Sequence, residues 1–201
     1  MKKTLIATTL ALGLVSVFTG CSNNQPQPQT MNQCVLPDGS VAKPWVCTGG
    51  SDMEGGVFAI GSAPKTPAGF SEQREEAMAA ARDALSRQIK IKVKNMFKKF
   101  VATTGVGDAQ TVDKATQNVS KQLSQSTLVG SKQKDMWIDP KDGTLYILVG
   151  MPDPKKIEQQ VKQAATTSFK NNRALWQKFL AKKADGELDK AIQEEFGGAQ
   201  Q

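Results

Sequence analysis

An α+β fold is predicted by three features of the chain. Ser71 to Phe100 contains neither Pro nor Gly, and Met78, Ala81, Leu85, Ile89, Val93, Met96 and Phe100 recur every three or four residues, the stripe of one long amphipathic helix. Two segments, Val129 to Ile138 and Thr144 to Val149, flank the turn Pro140-Lys141-Asp142-Gly143 and read as the strands of a hairpin. A further apolar run, Gly55 to Ala63, is bounded by glycine and reads as a lone strand. One strand plus a hairpin make a small antiparallel sheet, and helices must cover it: two or three beside it and a long one at the C-terminus.

The remaining elements follow in order. Glu72, Glu75 and Glu76 open the long helix and Lys98 and Lys99 close it, as its dipole favours. Thr103 to Gly107 breaks it. Ala109 to Thr127 is a second helix, with Val112, Ala115, Val119 and Leu123 on one face. Asp153-Pro154 is an N-cap followed by proline at the first helical position. From Lys155 the pattern Ile157, Val161, Ala165, Phe169, Trp176, Leu180 continues as one helix, which Gly186 interrupts before a last short helix carrying Leu188, Ile192 and Phe196. Lying after the last strand, this C-terminal part is free to extend away from the body.

The N-terminus is a targeting segment. Lys2 and Lys3 precede an apolar run from Leu5 to Phe18, too short for a retained membrane span. Phe18-Thr19-Gly20-Cys21 resembles the lipobox of bacterial lipoproteins, with Phe18 where Leu is usual. The resemblance implies that Cys21 is diacylated on sulfur, becomes the new N-terminus and is acylated there. An ordinary signal with an incidental Cys is the alternative. Each buried methylene contributes about 0.8 kcal/mol, so two or three chains fasten the protein to a bilayer. Ser22, not Asp, follows the cysteine; by the same resemblance this favours the outer membrane over inner-membrane retention, with the periplasmic or surface face left open. Of three Cys, lipidation of Cys21 leaves Cys34 and Cys47 as a pair. Export to an oxidising compartment and the intervening Pro37-Asp38-Gly39 turn favour a disulfide between them; two free thiols are the alternative. The layout is thus a signal peptide over 1–20, a lipidated tether over 21–33 rich in Asn, Gln and Pro, a cysteine-closed loop over 34–54, an α+β domain over 55–152 and a helical extension over 153–201.

Motifs in a fixed order carry a second resemblance. Pro44-Trp45, Gly56 to Ala63 (GVFAIGSA), the alanine-rich Ala77 to Lys94 ending IKIKVK, and Asp135-Met136-Trp137-Ile138-Asp139 with Asp142 to Val149 (DGTLYILV) are similar to the Lpp-twenty family of outer-membrane lipoproteins. The similarity covers Pro44 to Met151. It implies a non-enzymatic envelope protein; some members are surface antigens, and some resemble flagellar accessory lipoproteins that build disks or rings. It carries no catalytic residues.

Composition limits the chemistry. The chain has 201 residues, a net charge of +7 and no His, which removes the commonest general base, His-based triads and His-containing metal sites. No cofactor or metal is implied. Gly49-Gly50 and Gly55-Gly56 lack the Lys-Ser/Thr ending of a phosphate loop, and Asp135, Asp139 and Asp142 do not have calcium-loop spacing. Trp45, Trp137 and Trp176 read as core or edge anchors. The basic balance does not point to nucleic acid, which an exported chain does not meet.

The local feature that stands out is basic. Arg87, Lys90, Lys92, Lys94, Lys98 and Lys99 occur with no acid between Asp83 and Asp108. At about 100° per residue, Arg87, Lys90, Lys94 and Lys98 cluster opposite the apolar stripe. They are either a solvated helix face or a surface for an anionic envelope polymer. Ile91 interrupts the cluster and marks a protein contact; the alternation of 89–94 also admits a local strand. The function expected is a structural or assembly role in the envelope, with motility as one setting, through contacts with envelope proteins or further copies of the chain. Capture of an anionic polymer and regulation of a cell-wall synthase are the rivals.

Overall fold

A computed structural model describes residues 33–51, 53, 56–151 and 153–197. The signal segment, Cys21 and nearly all of the tether lie outside the described residues.

Seven residues each form β3 (Val57–Ala63), β4 (Lys132–Ile138) and β5 (Leu145–Met151), after a two-residue ladder of β1 (Cys34–Val35) and β2 (Val41–Ala42). The larger sheet has the order β3-β5-β4 and is antiparallel throughout. The hairpin is therefore as expected, and the lone strand pairs with the hairpin's second strand, which becomes central. Alternation divides the sheet into two faces. Val57, Ala59, Ala63, Leu145, Ile147 and Val149 enter the main core. Phe58 and Leu148 point the other way, into a smaller core with Cys34, Ala42, Trp45 and Val46.

Helix α2 (Phe70–Thr104) lies on the first face and exceeds its predicted span by a residue or more at each end. It is helical through 89–94, so the alternation there is not a strand. Ala81, Leu85, Ile89, Val93, Met96 and Phe100 are buried as the stripe requires, and Met78 is half-buried. Gly61 of β3 sets the approach. A Cβ there would overlap Ala77 O and Ala81 N of the α2 backbone. Glycine facing two fully buried alanines lets helix and strand backbones touch. Buried Gln73 fixes the register at the helix start, its Nε2 donating to Ala63 O at 3.0 Å and to Gly143 O at 2.9 Å. Link 105–108 then returns the chain as α3 (Ala109–Gly130), which packs along α2. Val129 and Gly130, read as strand, belong to α3, and Val129 is 90% exposed.

The C-terminal part differs most from its reading. It is not one long helix that leaves the body. α4 (Pro154–Lys170), α5 (Arg173–Ala181) and α6 (Asp185–Phe196) fold back onto α2 and α3. Asp153 caps α4 as predicted, accepting from Lys156 N at 3.1 Å. The first break is at Asn172, whose side chain caps α5 by accepting from Leu175 N at 3.1 Å. The second is not at Gly186, which lies inside α6. It is at Lys183, with φ +47, whose N–H donates to Leu180 O at 3.0 Å while Ala184 N donates to Phe179 O at 3.1 Å. These paired bonds are a Schellman ending with lysine where glycine is preferred. Phe169 joins the helices to α2: its ring lies 5.8 Å from Phe97, 5.2 Å from Phe100 and 5.3 Å from Phe179. Leu188, Ile192 and Phe196 are buried in the same core.

Two substitutions test this account. Gly61→Ala should lower unfolding free energy by about 3 kcal/mol, because backbone on both sides prevents relaxation. Lys183→Gly should raise it by about 1 kcal/mol by relieving the left-handed conformation. Urea midpoints at constant m-value measure both.

Candidate functional site

The chain enters the described fold through a clasp on the face of the sheet opposite α2. Gly39, at φ +83, turns the chain so that its N–H donates to Leu36 O at 2.8 Å and β2 returns along β1. Pro44 opens the short helix α1 (Pro44–Thr48), which carries Cys47 to Cys34. The two are joined in a disulfide with Cα atoms 5.6 Å apart, as the cysteine count predicts. Closing so short a loop stabilises by about 3 kcal/mol.

Asp135 holds the clasp to the sheet. It sits on β4 at a register shift, where Lys134 has no partner on β5. Its carboxylate accepts from Lys43 Nζ at 2.6 and 2.8 Å, from Trp45 Nε1 at 2.8 Å and from Met136 N at 2.8 Å. Burial alone would raise the carboxyl's pKa; these donors outweigh it and hold it below the ordinary carboxylate value. Ser40 adds a second tie, donating to buried Asp139 at 2.8 Å, and Lys141 Nζ reaches Asp38 O. Trp45 is buried, and Trp137 lies against Tyr146 with ring centres 5.6 Å apart, so both are anchors. The aspartates around the hairpin are consumed in such contacts: Asp142 accepts from Thr144 N at 2.8 Å. No cluster of three metal-ligating side chains occurs among the described residues.

The basic segment divides into groups with different partners. Lys92 donates to Glu195 O at 2.6 Å, and Lys99 pairs with Glu195 at 2.7 Å and Glu194 at 3.4 Å. Hydrogen bonding to Glu195 raises the Lys99 pKa. These two lysines hold the C-terminal end of α6, where positive charge is favoured. Lys94 faces Asp113 at 3.7 Å and Arg87 faces Asp83 at 3.8 Å, both exposed. Lys90 and Lys98 are exposed and make no ion pair among the described residues. Arg87, Lys90, Lys94 and Lys98 thus share an exposed flank, but they do not act as an isolated stripe. Helix α3 lies beside them and forms an open groove with Arg87 and Lys90, which Lys98 and Lys94 do not line. Gln117, Ser120, Lys121 and Ser124 of α3 complete it. These residues were missed in the sequence, although each helix shows the spacing i, i+3, i+4, i+7 that puts four side chains on one face.

Ile91 is 60% exposed. It borders a cavity of about 290 Å³ with Met53, Val57, Phe58 and Gln88, between α2 and the link into β3. Two exposed apolar pairs lie on strands: Val35 and Val41 face each other across β1 and β2, and on β4 Met136 is 41% and Ile138 44% exposed, at a sheet edge with no further strand among the described residues.

Residues 45–151 match the LPP20 lipoprotein family. The chain belongs to that family. The match spans more than half the chain and runs from Trp45, the residue held by Asp135, to the last residue of β5. The LPP20 segment therefore comprises the sheet, α2, α3 and α1 from Trp45 onward, while Cys34 and α4 to α6 lie outside it. No curated protein matches the chain at a significant level.

A pH titration tests the Asp135 tie. Its depressed folded pKa means that its contribution is complete above the unfolded value of about 3.9 and is lost as pH falls through the lower folded value. Fluorescence of Trp45 and Trp137 should change in that window for the wild type. The change should disappear in Asp135→Asn, whose clasp is already loosened at neutral pH.

Proposed function

We propose that the protein is a non-catalytic lipoprotein of the outer membrane, fastened by acylated Cys21, whose described fold works by protein contact in envelope assembly. Family membership and the Phe18-Thr19-Gly20-Cys21 lipobox support the anchor. The observation that carries the assembly role is the exposed apolar pair on the edge strand β4. This strand pairs on one side only, and the side chains of Met136 and Ile138 stand exposed along it. Met136 N–H is taken by Asp135 and Met136 O by Lys43 Nζ at 3.2 Å, so the middle of this edge is closed to strand addition, and what it offers a partner is its apolar side chains. The occupant we assign is the same pair on a second copy. Lys132 and Lys134 on the same strand disfavour indiscriminate association, and concentrating copies on one bilayer would strengthen the specific contact. The resemblance of some family members to flagellar accessory lipoproteins makes a motility-associated ring or disk the finer form of this reading.

Light scattering of a detergent-free Cys21→Ser protein should show a dimer or higher oligomer. Met136→Lys with Ile138→Lys should return it to monomer with unchanged circular dichroism. A monomer at all concentrations in the unsubstituted protein would remove the edge from the proposal. Labelled fatty acid should be incorporated in cells by the wild type and not by Cys21→Ser.

A further inference from the structure

We infer that the groove between α2 and α3 binds a phosphorylated sugar. Its walls are matched. Asp83, Ser86, Arg87 and Lys90 face it from α2; Gln117, Ser120, Lys121 and Ser124 face it from α3. Where two antiparallel helices usually interlock apolar side chains, three serines leave space, and the groove holds about 370 Å³. The groove is open to solvent, with Asp83 and Arg87 mostly exposed, so it would seat one sugar ring with a substituent by one face.

The charge within it is unbalanced. Three cations face one carboxylate. Asp83 meets Arg87 only at 3.8 Å, with side chains 80% and 69% exposed, a pair that water screens and that leaves the guanidinium free to turn. Lys90 and Lys121 have no ion pair among the described residues. A phosphate monoester carries about −1.5 to −2 at neutral pH, which complements this surplus, and a guanidinium fork matches its oxygens.

The floor supplies the second, independent observation. Ser120 is 6% exposed, and its Oγ is buried with no hydrogen-bond partner. A buried hydroxyl left unpaired is costly, and native folds pair nearly all of them. Turned about χ1 toward the groove, the hydroxyl would be paired by a ligand, while Ser86, Ser124 and Gln117 offer donors and acceptors at the rim. No aromatic residue lines the groove, so a nucleobase has nothing to stack on. The surplus cations and the hydroxyls suit a ligand rich in hydroxyls and bearing a compact dianion. The headgroup of a phosphorylated glycolipid and a free sugar phosphate share this chemistry. The site is separate from the β4 edge, so it stands whether or not copies assemble there.

Titration calorimetry of the full-length protein in detergent with glucosamine 1-phosphate tests the inference. Saturable binding is expected. It should weaken about tenfold in Arg87→Glu and in Lys121→Glu, each of which removes a charge-assisted contact at an exposed position that does not touch the core. Ser120→Ala should weaken it less, without loss of thermal stability. Glucosamine and inorganic phosphate should each bind about tenfold more weakly than the sugar phosphate. Absence of saturable binding, equal binding of inorganic phosphate, or indifference to both charge reversals would overturn the proposal. Vesicles containing lipid A distinguish the sources: competition that is lost in Lys121→Glu assigns the headgroup, and its absence while glucosamine 1-phosphate still binds assigns the free sugar.

Discussion

The contact of Gly61 with the backbone of α2 at Ala77 and Ala81 is the constraint on which the other packing depends. A helix at ordinary distance from a sheet leaves room for side chains between them. Here two alanines and a glycine bring the layers into backbone contact, so the N-terminal half of α2 is fixed rigidly over β3 and β5. α2 has 35 residues and β3 seven, so at about 1.5 Å and 3.3 Å per residue the helix outruns the strand, and its C-terminal part carries the buried stripe past the sheet. That stripe needs another cover, and α3, α4, α5 and α6 provide it. Phe97 and Phe100, far from Gly61 along the helix, meet Phe169 because the helix is long and its start cannot shift.

The same logic explains what could be read from the chain. The stripe of α2, the hairpin around Asp142-Gly143 and the Asp153-Pro154 cap are local signals, written in residues a few positions apart. The disulfide was legible because an odd count leaves a pair once Cys21 is set aside. The ending of α5 was not, because lysine occupies a conformation that glycine usually announces, and the nearby Gly186 drew the boundary to itself. The return of α6 was equally hidden: Leu188, Ile192 and Phe196 show an apolar face but not what it covers. Lys92 and Lys99 complete that return from 95 residues away or more in sequence. Nothing local distinguishes them from Lys90 and Lys98.

The basic face shows the consequence for function. In one dimension it is a run of like charges, and a run of like charges reads as a solvated surface or as an extended track for a polymer. In three dimensions α6 takes two of its members and α3 pairs with a third. Arg87 and Lys90 are left beside Lys121, a residue on another helix, with serines between. A track has become an open groove between two helices. In the binding we infer, such a groove would read hydroxyls as well as charge, which a run of lysines along one helix does not.

Geometry also separates the tasks. The chain enters the described fold at the clasp, which Cys34, Cys47 and the Lys43–Asp135 ion pair hold against one face of the sheet. α2 covers the other face, and the α2–α3 groove is formed one layer further out. A pull on the entering chain loads the disulfide, Asp135 and Ser40, and reaches the groove only through the sheet and the contact at Gly61. The edge strand β4 lies between these regions, tied to the clasp through Asp135 and Lys43, which donates to Met136 O at 3.2 Å, and to α2 through Arg74, which donates to Gln133 at 2.9 Å. The clasp thus closes the main chain of this edge while leaving the Met136 and Ile138 side chains outside, and the α2–α3 groove stands apart from both.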